Sequence, residues 1–222
     1  MSPQNAVLCV HMSISVGKTP RRRDAGKRLL KLARTRPILR ALDVADLGIH
    51  TSTLTRLVRA GALERVGPGR YQLIGNRRIT EHHDLMMAAS LVPASVVCLL
   101  SALRFHGIGT QLPHQVWIAV PRGRRVPRLQ SPPIRVVSVA PALFDIGVET
   151  HRIEGVDVRV YSVARTVADC FRFRTMVGLD VALETVSEAW RGKRLNLDEL
   201  YWIGKRLHIQ RVMQPYLEMV VV

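Results

Sequence analysis

The sequence predicts an α+β chain, with an N-terminal winged helix-turn-helix followed by a mixed α/β C-terminal domain that has a small sheet and several helices. Three observations predict it. Between residues 25 and 74, helical and strand periods separated by turn signals follow in the order helix, helix, turn, helix, hairpin. Positive charge is concentrated in the same part. Residues 1–80 hold 16 Lys and Arg against 4 Asp and Glu, and residues 81–222 hold 17 against 13. After Gly75-Asn76-Arg77-Arg78 the composition shifts to apolar helices and short strands. The chain of 222 residues is 47% hydrophobic, enough to bury a core, and with 5% aromatics that core must lean on Leu, Val and Ala. The expected division is a basic, disordered arm at 1–22, the winged helix-turn-helix at 23–78 and the α/β domain at 81–222.

The elements of the first part can be taken in order. Leu29, Leu32 and Ala33 at i, i+3, i+4 mark a helix over about Ala25 to Arg34. Arg36-Pro37 ends it, because a residue before proline resists the α conformation. Ile38-Leu39 reads as a short strand and Ala41 to Leu47 as a second helix. Gly48-Ile49-His50 is a tight turn whose glycine supplies a left-handed conformation. Thr51 to Ala60 is a third helix, stopped by Gly61. Leu63–Val66 and Arg70–Ile74 are two strands around Gly67-Pro68-Gly69.

The third helix carries the functional argument. Leu54, Leu57 and Val58 form its apolar stripe, and Ser52, Arg56 and Arg59 point the other way, flanked by Thr51, Thr53 and Thr55. Short hydroxyls beside guanidiniums suit a major groove, where Arg reads guanine bidentately and Ser or Thr contacts bases or phosphates. No acid sits on this helix to repel phosphate. An ordinary surface helix also carries Arg, but it commonly mixes both signs and lacks this flanking order. Arg65 and Arg70 on the wing are candidate phosphate or minor-groove contacts. Arg21, Arg22 and Arg23 of the basic arm are further candidates. Tyr71 and Leu73 share a strand face and read as core.

The second part begins with two apolar helices, about 81–92 and 95–106, broken at Pro93. They contain Leu85 to Leu103, 19 residues without a charge, which approach membrane-spanning length. The proline and Ser90, Ser95 and Ser101 favour buried helices instead. Val116–Val120, Ile134–Val139, Glu149–Ile153 and Val156–Tyr161 are strand candidates, the last two joined by Glu154-Gly155 as a hairpin. Helices follow at about 163–173, 178–191 and 197–208. Cys9, Cys98 and Cys170 lack zinc-site spacing and are odd in number, which fits a reducing cytoplasm rather than a disulfide framework. No basic n-region precedes the weakly apolar start, so no signal peptide is read there. Met12 is an alternative to Met1 as the translation start.

The sequence resembles the AbiEi-type antitoxins. The resemblance is carried by LLKLARTRPILRALDVADLGIHTSTLTRLVRAGALERVGPGRYQL (29–73), VVCLLSALRFHGIGTQLPHQVWIAVPRG (96–123) and VYSVARTVADCFRFRTMVGLDVALE (160–184). It covers most of residues 25–217. It implies an antitoxin of a type IV toxin–antitoxin or abortive-infection system. Such a protein has a winged helix that binds inverted repeats in its own promoter and represses it. Its C-terminal domain is needed to neutralise a nucleotidyltransferase-type toxin, without requiring a direct complex. The resemblance places DNA contact on Thr51 to Arg59 and the wing. His50 departs from the pattern, since relatives often begin the recognition helix with Pro or Ser.

Within the second part, Ser162, Arg165, Thr166 and Asp169 share one helix face. Either they belong to the antitoxin domain's functional surface, or Ser162 caps the helix and Arg165 pairs with Asp169 at i, i+4. The second reading is favoured. Arg122, Arg124, Arg125 and Arg128 form a basic loop that can touch nucleic acid or a toxin, or simply be solvated. His82, His83, His106, His114 and His151 invite a metal hypothesis, but His82 and His83 face different sides of a helix. No phosphate-binding loop, nucleophile elbow or paired-acid motif occurs, so no catalytic residue, metal or cofactor is expected. The sequence therefore reads as a cytoplasmic, non-membrane DNA-binding antitoxin and autorepressor rather than an enzyme. Its expected partners are promoter DNA and a cognate toxin. Two alternatives are a regulator whose C-terminal domain binds a ligand or oligomerises, and a DNA-targeted nuclease.

Overall fold

The computed structural model describes residues 22–75, 80–127, 129 and 131–221. Helix α1 (Arg22–Thr35) opens the N-terminal region. It starts inside the segment expected to be an arm. Short strand β1 (Leu39–Arg40) leads into α2 (Ala41–Asp46). Gly48, at φ +68°, turns the chain into α3 (Ser52–Arg59). Hairpin β2 (Leu63–Gly67) and β3 (Arg70–Leu73) follows. The antiparallel sheet has the order β1-β3-β2, with Leu39 opposite Tyr71 and Arg40 opposite Arg70. This sheet has two different faces. Leu39 and Leu63, with partly buried Tyr71 and Leu73, join Leu29, Val44, Leu54 and Leu57 in one core, so α1 and α3 lie on that side. Ile38 and Val66 turn the other way and pack with the C-terminal region.

That region is built on a five-stranded sheet ordered β6-β5-β4-β8-β7. Its strands are β4 (Val96–Val97), β5 (Val116–Pro121), β6 (Ile134–Val139), β7 (Val148–Ile153) and β8 (Val156–Tyr161). The two outer pairings differ: β5–β6 is parallel and β7–β8 antiparallel. Alternating residues send side chains to two cores. Val97, Ile118, Val158 and Val160 pack under α4 (His83–Leu91). Cys98, Trp117, Ala119 and Tyr161 pack under the remaining helices. The main ones are α5 (Leu99–His106), α7 (Val163–Arg172), α9 (Leu179–Arg191), α10 (Leu197–Arg206) and α11 (Gln210–Val221). Two four-residue helices, α6 (Pro141–Phe144) and α8 (Arg174–Val177), fill connections.

Most expected elements are present, and one is not what the sequence predicted. The segment read as a helix over 95–106 contains β4, which sits centrally between β5 and β8. A two-residue strand covered on both faces shows no period of its own, and its apolar run reads equally well as buried helix. Short helices α6 and α8 and the terminal α11 were also not anticipated. No helix among the described residues is long and apolar enough to cross a membrane. The uncharged run Leu85 to Leu103 is instead divided between α4, β4 and α5.

The regions meet along the back of the small sheet. Any Cβ on Gly67 would come within 2.7 Å of Leu91 Cδ2, so the first glycine of the Gly-Pro-Gly turn permits the hairpin to rest on α4. Gly69, at φ +64°, makes the turn itself. Gln72 lies 3.4 Å from His83 Nε2. Glu154 on the β7–β8 turn accepts hydrogen bonds from the Thr80 backbone and hydroxyl at 2.8 and 2.9 Å, and lies 2.8 Å from His83 Nδ1. Burial pushes its carboxyl up, yet these bonds hold it below the ordinary carboxylate range.

Candidate nucleic-acid interface

Helix α3 presents the clearest candidate interface. Leu54 and Leu57 are buried, and Thr51, Ser52, Thr55, Arg56 and Arg59 are exposed together. No acidic residue stands in its first turn, and its last turn carries Arg56 and Arg59. Thr53 corrects the sequence reading: it is only 7% exposed and faces the core with Leu54 and Leu57. At 100° per residue it falls on the rim of the apolar stripe, where α3 settles against its neighbours. Arg56 lies beside α1, its Nη2 being 3.5 Å from the place a Cβ would take on Gly26. That is ordinary van der Waals distance, so the guanidinium packs against α1 at this point.

The entry to α3 uses the residue that departs from the family pattern. His50 Nδ1 receives the Ser52 backbone N–H at 3.2 Å and lies 2.8 Å from Ser52 Oγ. The imidazole thus does the work of a cap, satisfying one of the orphan donors of the first turn. It also fixes the Ser52 hydroxyl. Nothing in the apolar periodicity signals this, but a His two residues before a Ser at a helix start is a local pattern that can be searched for.

The β2–β3 hairpin, the candidate wing, divides its side chains between the two faces of its sheet. Arg65 is exposed, donates to the Gly67 carbonyl at 3.3 Å and lies opposite Tyr71, on the side of α3. Arg70 corrects the sequence reading. It alternates with Tyr71 and so points, with Gln72, to the opposite face, where it lines a cleft against the C-terminal region. Arg21 lies outside the described residues. Arg22 and Arg23 fall in the first turn of α1, but their side chains lie outside the described residues, as does Arg128.

The C-terminal candidates separate sharply. Arg122, Arg124 and Arg125 are exposed after β5, with Arg124 Nη2 donating to the Pro93 carbonyl at 2.6 Å. Ser162, Arg165 and Asp169 are 4%, 0% and 1% exposed, which overturns their reading as a surface. Arg165 Nε donates to Asp169 at 2.9 Å, and Nη1 donates to the Leu143 and Ile146 carbonyls at 2.8 Å each. Ser162 Oγ caps α7 by accepting the Arg165 N–H, and donates to Glu199 at 2.7 Å. Burial pushes the Asp169 carboxyl up, against the pull of Arg165. Burial likewise pushes up the thiols of Cys98 and Cys170, which suits inert packing groups rather than nucleophiles.

Three of the histidines that invited a metal hypothesis pack around one aromatic ring. His82, His106 and His151 surround the Phe105 ring with centroid separations of 5.0, 5.2 and 4.7 Å. Among the described residues no group of three or more His, Cys, Asp or Glu is placed to hold a metal ion.

Comparison with known proteins adds to this geometry. The fold is similar to that of the RV2827C protein from Mycobacterium tuberculosis, known from a crystal structure. The TM-score is 0.59 at 14% identity, over 82% of this chain and 71% of that one. Similarity at this identity concerns the fold alone. No curated protein matches the sequence. Residues 27–74 match the family described as "Transcriptional regulator, AbiEi antitoxin". That segment runs from α1 through β3 and contains the exposed face of α3. Over these residues the match agrees with the resemblance of the sequence to the AbiEi-type antitoxins.

Proposed function

We propose that the protein is a cytoplasmic type IV antitoxin that binds its own promoter through a winged helix-turn-helix and represses it. Its C-terminal domain, taken as residues 81–222, counteracts a cognate nucleotidyltransferase-type toxin. The observation that carries the DNA-binding half is the acid-free exposed face of α3, inside the segment that matches the regulator family. Thr51, Ser52, Thr55, Arg56 and Arg59 would enter the major groove, with Arg65 on the same side of the wing. Arg122, Arg124 and Arg125 are left as the exposed basic surface for a partner or flanking phosphate. A net charge of +16 supports binding to a polyanion by counterion release.

A mobility-shift titration with the chain's upstream DNA tests the first half. Saturable binding that survives scrambled competitor DNA supports it, and equal affinity for both DNAs overturns specific repression. Identifying a nucleotidyltransferase gene beside this one and co-expressing the two tests the second half. Growth arrest relieved by this chain supports neutralisation, and unrelieved arrest overturns it.

A further inference from the structure

The face of the small sheet turned away from α3 lines a cleft of about 750 Å3. The opposite walls are the end of α4 and the β7–β8 hairpin. We infer that this cleft binds a small phosphate-bearing anion of nucleotide size, with Arg70 as its anchor. This site is separate from the promoter-binding face and does not rest on that reading.

Its charge is unbalanced in a specific way. Among the described residues four arginines line the cleft, Arg36, Arg40 and Arg70 from the N-terminal region and Arg152 from β7, against two aspartates, Asp43 and Asp157. Asp43 serves two of them. It takes Arg40 through bonds of 3.2 and 2.9 Å and lies 3.5 Å from Arg36. Asp157 pairs with Arg152 at 2.9 Å. Arg70 has no acid. Its Nε is buried, with no hydrogen-bond partner among the described residues. Its cross-strand neighbour is Arg40, a like charge. Burial and then that neighbour both disfavour its charged form. A buried guanidinium N–H without an acceptor costs free energy that a bound oxyanion recovers.

The shape of the donor set points to phosphate. Arginines line the cleft from two sides, and a phosphate offers at least three acceptor oxygens in the fork geometry that Arg matches. Arg152 and Asp157 are 69% and 63% exposed, so their pairing is weak and an anion can compete for the arginine. Pro37, Ile38, Pro93 and Val156 add an apolar wall, and Ser90 a hydroxyl. Polar groups set against apolar walls in several hundred Å3 describe a small-molecule site. The rival source of phosphate is the DNA backbone. A duplex on the exposed face of α3 lies on the other side of the sheet, which favours a free anion.

The test uses the full-length protein and calorimetric titration with sodium pyrophosphate and with AMP, at constant ionic strength set by chloride. Saturable one-to-one binding is expected. Arg70→Met should weaken it by about tenfold or more, and Arg152→Met, on the facing wall, by several-fold. Arg56→Ala on α3 should leave it unchanged. A melting curve confirms that each variant is folded, and Arg152→Met carries the test if Arg70→Met is not. Absence of saturable binding overturns the inference, as does binding indifferent to both cleft variants. A short duplex of scrambled sequence supplies the other arm. If it displaces pyrophosphate from the Arg56→Ala protein, and loses affinity on adding Arg70→Met, the cleft holds backbone phosphate and the free-anion assignment falls.

Discussion

Helices α3 and α7 carry the same kind of polar stripe and put it to opposite uses. Each sets hydroxyls and arginine along one side and small or branched apolar residues along the other. On α3 the stripe of Ser52, Thr55, Arg56 and Arg59 is exposed. On α7 the stripe of Ser162, Arg165, Thr166 and Asp169 is buried. Two features of the sequence separate them. Helix α7 includes an acid at i+4 from its arginine, so the charge can be neutralised locally. Its remaining positions are almost all apolar, and it is packed by α5, α9 and α10 within the core that also holds Trp117, Ala119 and Tyr161 of the sheet. An arginine stripe without an acid has to stay near water or meet an external anion. One with an acid can be folded inward to fix a packing arrangement.

The largest expected effect breaks the α7 half of this comparison. Asp169→Ala leaves the fully buried Arg165 guanidinium without its carboxylate, and should destabilise the protein by about 3–5 kcal/mol. Denaturant unfolding measures it. The double variant Arg165→Met/Asp169→Leu should be milder than Asp169→Ala, because it removes both charges together. A double variant as damaging as the single one would mean that Arg165's bonds to the Leu143 and Ile146 carbonyls matter more than charge balance.

The α3 half predicts the reverse pattern. Arg56→Ala should weaken specific promoter binding by about 1–3 kcal/mol, read in a mobility-shift titration, as expected for losing a bidentate base contact. Its folding stability should stay within about 0.5 kcal/mol of the parent, since the side chain is exposed. Unchanged promoter affinity would sink the recognition-face reading.

These contrasts also show what the sequence could reveal. The α3 face was legible because its helix is short, flanked by turns and sharply amphipathic. The fate of the α7 stripe was half legible: the i, i+4 pair and the Ser162 cap were visible, but burial depends on which elements pack from outside. Thr53 and Arg70 were misplaced for a simpler reason. A residue on the rim of a stripe can turn either way, and a strand residue's face depends on register, which Arg40 opposite Arg70 sets through a partner about thirty residues away. Strand β4 was missed because its two residues are too few to carry a period.

The cap on α3 is a smaller lever. His50→Ala removes the acceptor of the Ser52 N–H and should cost about 0.5–2 kcal/mol of stability. Because α3 also orients Arg56 and Arg59, promoter affinity should fall with it. His50→Ser should recover most of the stability, because a hydroxyl can accept the same N–H. Failure of His50→Ser to recover anything, in parallel melts of the two variants, would mean that the imidazole acts through packing.

The smallest effect tests the comparison between two residues of one helix. Thr53 and Thr55 are two positions apart, the first buried and the second exposed. Thr53→Val exchanges a buried hydroxyl for a methyl of similar volume, in a position with no contact to solvent-side ligands. It should leave promoter affinity unchanged and shift stability by less than about 1 kcal/mol. Thr55→Val should do the opposite, with stability nearly constant and affinity reduced by about 0.5–1.5 kcal/mol if its hydroxyl bonds to DNA. Titrating both variants against the same promoter fragment decides it. If Thr53→Val lowers affinity and Thr55→Val does not, α3 meets DNA along a different edge, and the acid-free face is not the reading surface.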